Sequence, residues 1–181
     1  MAMSATHEAG VRSLGAWLLV AYLALLFFGF GSGMLESFLN YPMWRDMGAR
    51  MDNADFIFTR REHTWRIFPL LVIPLAARVP ATIALLLWGP AFVPRKAVVA
   101  ALALQLVGWT SSGFIQIPIQ LALTDRGFSD GLFARLIVTD RWLRVLPFVV
   151  EVSIGMLLLR QLVHALERPT ARPPEAVGVG H

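Results

Sequence analysis

Residues 13–35 read SLGAWLLVAYLALLFFGFGSGML, an apolar run with no charge between Arg12 and Glu36. A bilayer core of ~30 Å is crossed by about 20 such residues, so this stretch is long enough to span a membrane. Three further stretches share its character. Only Arg78 interrupts the residues between Arg66 and Arg95, no charge lies between Lys96 and Asp125, and only Glu151 lies between Arg144 and Arg160. The composition follows from these runs. Of 181 residues, 56% are hydrophobic and 15% charged, with a mean hydropathy of +0.61. An ordinary soluble domain is roughly 45–50% apolar and about 25% charged.

These properties exclude a soluble globular protein, an extended disordered chain and, despite a pI near 10.6, a nucleic-acid-binding domain. The net charge of +4 suits loops that lie against anionic lipid headgroups. The expected fold is all-α: a polytopic membrane protein built as a four-transmembrane-helix antiparallel bundle. Spans are expected at about 14–38, 64–88, 97–123 and 140–166, within one domain over 1–168, followed by a disordered tail over 169–181. Ser13 is an expected N-cap of the first helix, and Thr139 or Asp140 of the fourth. Trp88-Gly89-Pro90 ends the second span and Pro94-Arg95-Lys96 opens the third, which leaves a tight turn.

The connections over 40–62 and 124–139 are longer and share one side of the membrane, opposite both termini. The first holds Tyr41-Pro42-Met43-Trp44 and Phe56-Ile57-Phe58, which points to an ordered interfacial segment with aromatic anchors. Arginines lie on both sides and several belong to a candidate site, so the orientation stays open. The expected location is a plasma or inner membrane, with lipid as the surrounding partner. A faint repeat relates Gly33-Met34-Leu35-Glu36 with Asn40 to Gly113-Phe114-Ile115-Gln116 with Gln120. Each closes an odd-numbered helix.

Ionisable groups inside a span cost roughly 2.5–3.5 kcal/mol each on insertion scales. At 1.5 Å per residue, Arg78 lies about 18 Å below Arg66 and Glu151 about 10 Å below Arg144, close enough for an interhelical bridge. Gln105, Trp109, Ser112, Gln116 and Gln120 fall on one face of the third helix. That face is expected to look into the bundle, with Gln105 as interhelical glue and Gly108 with Ser112 allowing close approach. Near the long-connection side, Glu36, Asn40, His63, Arg66, Gln116, Gln120, Asp140, Trp142 and Arg144 gather at the helix ends. A carboxylate, an imidazole, amides and arginines together are what a small-molecule site presents. His63 is a candidate general base near neutral pH, with Glu36 beside it as the second catalytic candidate. Gln116, Gln120, Arg144, Trp109 and Trp142 are the candidate substrate-binding residues. Pro118, which removes an amide between the two glutamines, is expected to open a wedge there.

With no cysteine, thiol chemistry, disulfides and thiolate metal sites are absent. His7 and His181 lie near the chain ends and His164 at the opposite face, which leaves His63 alone. A Glu36–His63–Asp140 metal cluster has unspecific spacing, so neither a metal nor a cofactor is expected.

The segment Gln116-Ile117-Pro118-Ile119-Gln120, followed by Arg141-Trp142-Leu143-Arg144, resembles the DUF1772, anthrone-oxygenase-like family of four-helix membrane proteins. In that family's pattern Asn-x-Pro-x-Asn closes helix three and a Trp-x-x-x-Arg or Trp-Arg element opens helix four; glutamine stands at both amide positions here. The resemblance implies oxygenation of polycyclic anthrones without metal or flavin. Gln116, Pro118, Gln120, Trp142 and Arg144 are the matching positions. Two other functions fit the same residues. One is a non-catalytic subunit that packs on a membrane partner or a second copy through Gly29-x-x-x-Gly33 and Gly108-x-x-x-Ser112. The other is a small transporter with Arg78 and Glu151 on its pathway.

Overall fold

The computed structural model describes residues 2–167, with side chains from Leu14 onward except that of Phe68. The expected tail over 169–181 lies outside the described residues. The elements are α1 (Ala2–Leu35), α2 (Tyr41–Gly48), α3 (Asn53–Trp88), α4 (Arg95–Ser111), α5 (Ile117–Arg126), α6 (Asp130–Asp140) and α7 (Leu146–Glu167). Three pairs, α1–α2, α4–α5 and α6–α7, are continuous rods joined by short π-helical segments, and α3 is the fourth rod. Stretches long and apolar enough to cross a membrane lie at Leu14–Gly48, Pro69–Trp88, Arg95–Arg126 and Asp130–Glu167. The chain is therefore a four-helix bundle of the multi-pass membrane type.

The rods are longer than expected. The 35 residues of Leu14–Gly48 extend about 52 Å at 1.5 Å per residue, well beyond a ~30 Å hydrocarbon core. The surplus forms a helical headpiece where long connections over 40–62 and 124–139 were expected. Only residues 49–52 and 127–129 remain as turns. Asp52 caps α3 by accepting the Ala54 amide at 2.8 Å, and Ser129 caps α6 by accepting the Leu132 amide at 3.4 Å. The caps therefore lie well before the expected span start at residue 64 and the expected cap at Thr139. Thr139 and Asp140 sit inside a continuous rod, and Ser13 is inside α1 rather than at its start. Gly127 adopts φ +93°, and a Cβ there would fall on the Asn53 side chain. Asn53 uses that gap to accept the Phe128 amide at 2.9 Å and donate to the Arg126 carbonyl at 3.4 Å.

Two apolar cores result. In the membrane part, Leu19, Tyr22, Leu23 and Leu26 of α1 pack with Leu85, Ala101, Phe148 and Leu158. In the headpiece, Tyr41, Trp44, Phe56, Ile119, Leu123, Phe133 and Leu136 form a separate cluster. The Trp44 and Phe56 rings, expected as interfacial anchors, are buried in it. Outward residues of the spans are apolar, as with Trp17, Ile73 and Leu157, which suits lipid contact. Gly29 and Gly33 face Leu75 and Phe148 of the same chain, so this small-residue motif is used inside the bundle.

The π segments have a common cause. They cover Glu36–Asn40, Ser112–Gln116 and Arg141–Val145, and Pro42, Pro118 and Pro147 each lie two residues beyond one of them. A proline offers no amide and its ring crowds the carbonyl four residues back. Each rod responds by widening one turn. The amides of Tyr41, Ile117 and Leu146 reach the carbonyls of Glu36, Ser112 and Arg141 five residues back. Such π bulges recur at functional sites. Here they lie along one cavity.

Candidate functional site

A cavity of about 170 Å³ lies between the two cores. On α3 its wall runs from Arg60 through His63, Thr64, Ile67, Leu71 and Leu75 to Arg78, which at 1.5 Å per residue is about 27 Å. Across from α3, the wall comes from Leu104, Gln105, Gly108, Trp109, Ser112, Gln116 and Gln120. Each of the three π turns contributes to the lining, through Glu36, through Ser112 and Gln116, and through Arg144. A larger hollow of about 350 Å³ surrounds the Gly89–Pro94 turn at the other end, but it gathers no carboxylate, imidazole or side-chain amide.

Six of the seven candidate residues line the first cavity: Glu36, His63, Trp109, Gln116, Gln120 and Arg144. Trp142 does not. It is 67% exposed on the outer surface of its π turn, because residues two apart point to nearly opposite faces of a helix. Glu36 and Arg144 share the wall without pairing. Glu36 accepts the Asn40 amide at 2.7 Å, and Arg144 donates to Asp140 at 2.9 Å and to the Tyr41 hydroxyl at 3.4 Å. Gln120 donates to the same hydroxyl at 3.0 Å, so Tyr41 joins α2, α5 and the π segment between α6 and α7. Gln116 is buried; its Oε1 accepts the Ser112 hydroxyl at 3.1 Å, while its Nε2 has no protein partner. His63 packs edge-on against Trp44, with ring centroids 5.0 Å apart. Arg66 stays outside, paired with Glu62 at 3.3 Å. Among the described residues no three His, Asp or Glu side chains converge as metal ligands, so the Glu36–His63–Asp140 cluster does not form.

The floor is a polar network in the middle of the membrane. Arg78 pairs with Glu151 at 3.4 Å and stacks on Phe148 with its guanidinium carbon 4.1 Å from the ring centroid. Gln105 donates to Glu151 at 2.7 Å and to Thr82 at 2.8 Å, and the Tyr22 hydroxyl donates to Glu151 at 3.3 Å. All four rods are tied at this level. The expected bridge and the cross-linking role of Gln105 are both present. Gly108 differs from expectation: a Cβ there would meet nothing within 4 Å, so it opens space on the cavity wall.

Sequence reasoning missed Arg60 and Tyr41. Arg60 is 4% exposed, with its guanidinium carbon 5.6 Å from the Trp44 ring centroid and 5.5 Å from that of Phe133. Burial lowers its pKa from the ordinary arginine value, an effect that Tyr41 and Glu36 oppose. The available signal was the helical spacing of Arg60, His63, Thr64 and Ile67, which only reads as a face once α3 begins at Asn53.

The cavity thus has a donor-rich mouth, an apolar throat and a charged floor that holds its own ion pair, with Arg78 Nε and Nη1 and Gln105 Oε1 making no hydrogen bond. Comparison of the chain with family models, with curated proteins and with solved structures finds no match.

Proposed function

We propose that this protein, in a plasma or inner membrane, binds a narrow hydrophobic small molecule inside the bundle, with the molecule's polar end at the Arg60–Gln116 mouth. The observation that carries this reading is the cavity itself, an apolar throat that ends in convergent polar groups. Its volume limits the ligand. An apolar cavity of roughly 150 Å³ accommodates benzene, so about 170 Å³ drawn out along α3 suits one ring or one short chain of similar volume. A fused polycycle requires the rods to separate. Turnover of the bound molecule, including the cofactor-independent oxygenase-like chemistry that the family resemblance implies, falls to His63 and Glu36 as proton-transferring groups.

The transport alternative needs mid-membrane charges that are free to move, whereas Arg78 and Glu151 are held by Gln105, Tyr22 and Phe148. The subunit alternative loses the Gly29–Gly33 face, which is occupied within the chain. The binding reading is tested by hexanol titration of the protein in phosphatidylcholine nanodiscs. Wild type is expected to bind saturably, and Gly108→Leu, which fills the throat, to lose at least tenfold in affinity. Equal binding by both proteins would place the alcohol elsewhere.

A further inference from the structure

From the mouth of the cavity we infer that the ligand is a single-chain amphiphile with an anionic, carboxylate-like head seated against Arg60. This inference rests on the binding reading above and specifies its substrate class.

Arg60 is a buried guanidinium stacked between two rings, and no carboxylate of the described residues forms an ion pair with it. Its Nε has no hydrogen-bond partner. A buried charge without a counter-ion is costly, and the same low dielectric strengthens any anion that reaches it. Of the other charges at the mouth, Arg144 is offset by Asp140, whereas Glu36 accepts only the neutral Asn40 amide and acts on Arg60 at a distance without forming an ion pair. A second donor, Gln116 Nε2, lines the same cavity at 1% exposure and is also unpartnered. Two unpartnered donors and a fixed positive charge select a head that accepts hydrogen bonds and carries negative charge. The narrow throat then accepts one acyl chain, which excludes a two-chain phospholipid as the occupant. Glu36 opposes the anion across the mouth, so it lowers affinity without abolishing it.

The test compares hexanoate with hexanol in phosphatidylcholine nanodiscs at mildly alkaline pH, where the acid is ionised. Wild type is expected to bind the acid at least tenfold more tightly than the alcohol. Arg60→Gln and, independently, Gln116→Met are expected to reduce that ratio while retaining alcohol binding, and Glu36→Gln to increase it. Phosphatidylglycerol added to the discs is expected not to displace the acid. Alcohol binding with no preference for the acid would overturn this inference alone; binding of neither would overturn the binding reading with it. A preference unchanged in both Arg60→Gln and Gln116→Met, or displacement by phosphatidylglycerol, would also contradict it.

Discussion

The carbonyl of Leu143, left without an amide donor by Pro147 four residues later, accepts the Ser111 hydroxyl of the neighbouring rod at 3.3 Å. Ser111 shares that hydroxyl with the Gly108 carbonyl at 3.0 Å. One side chain thus answers the backbone defect that the proline creates, as neighbouring helices must do inside a membrane. The same defect widens the turn that carries Arg144 to the cavity. Ser111→Ala is expected to cost about 1 kcal/mol, read as a lower midpoint of unfolding in mixed detergent. An unchanged midpoint would mean that the carbonyl needs no such support.

The floor network should behave as a unit. Glu151→Leu leaves Arg78 buried and unpaired and is expected to cost about 3–5 kcal/mol. Arg78→Met combined with Glu151→Leu is expected to recover most of that loss, because the pair is replaced by apolar volume. A double-mutant cycle in detergent checks this. Additive losses would show that the two groups act separately.

The headpiece turn depends on Gly127. Gly127→Ala forces a non-glycine residue into the left-handed region and drives a methyl group onto Asn53. The expected loss is about 1–3 kcal/mol, with faster hydrogen exchange at the α6 N-terminus. Unaltered exchange there would refute the role of this turn.

Four spans, their order, the Arg78–Glu151 bridge and the inward face of α4–α5 were legible in the sequence. Each follows from the cost of leaving charge or amide groups in lipid, which the one-dimensional pattern records. The headpiece was not legible in the same way. Arg60, Arg61 and Glu62 interrupt the apolar pattern, so the first part of α3 read as connection although Phe56 and Arg60 turn inward. The three π turns were only partly legible. Pro118 indicated a wedge, but a single added residue per turn changes which neighbour faces inward. Trp142 lies two residues from Arg144 and so on nearly the opposite helix face, which the sequence already recorded. Trp142→Phe is accordingly expected to leave hexanol affinity unchanged, whereas a loss beyond threefold would return that side chain to the site.

The proposed binding requires a ligand to sit between the rods at the mouth. Thr64 and Trp65 are adjacent on α3, above the Pro69–Trp88 span; Thr64 lines the cavity and Trp65 is 74% exposed. Because the chain has no cysteine, Thr64→Cys and Trp65→Cys each give a single reactive thiol at nearly the same height. The most direct measurement is the rate of maleimide labelling of each variant with and without hexanol. Labelling at position 64 is expected to slow at least tenfold with the alcohol, while labelling at position 65 stays unchanged. Equal slowing at both positions, or none at either, would contradict a ligand held inside the bundle.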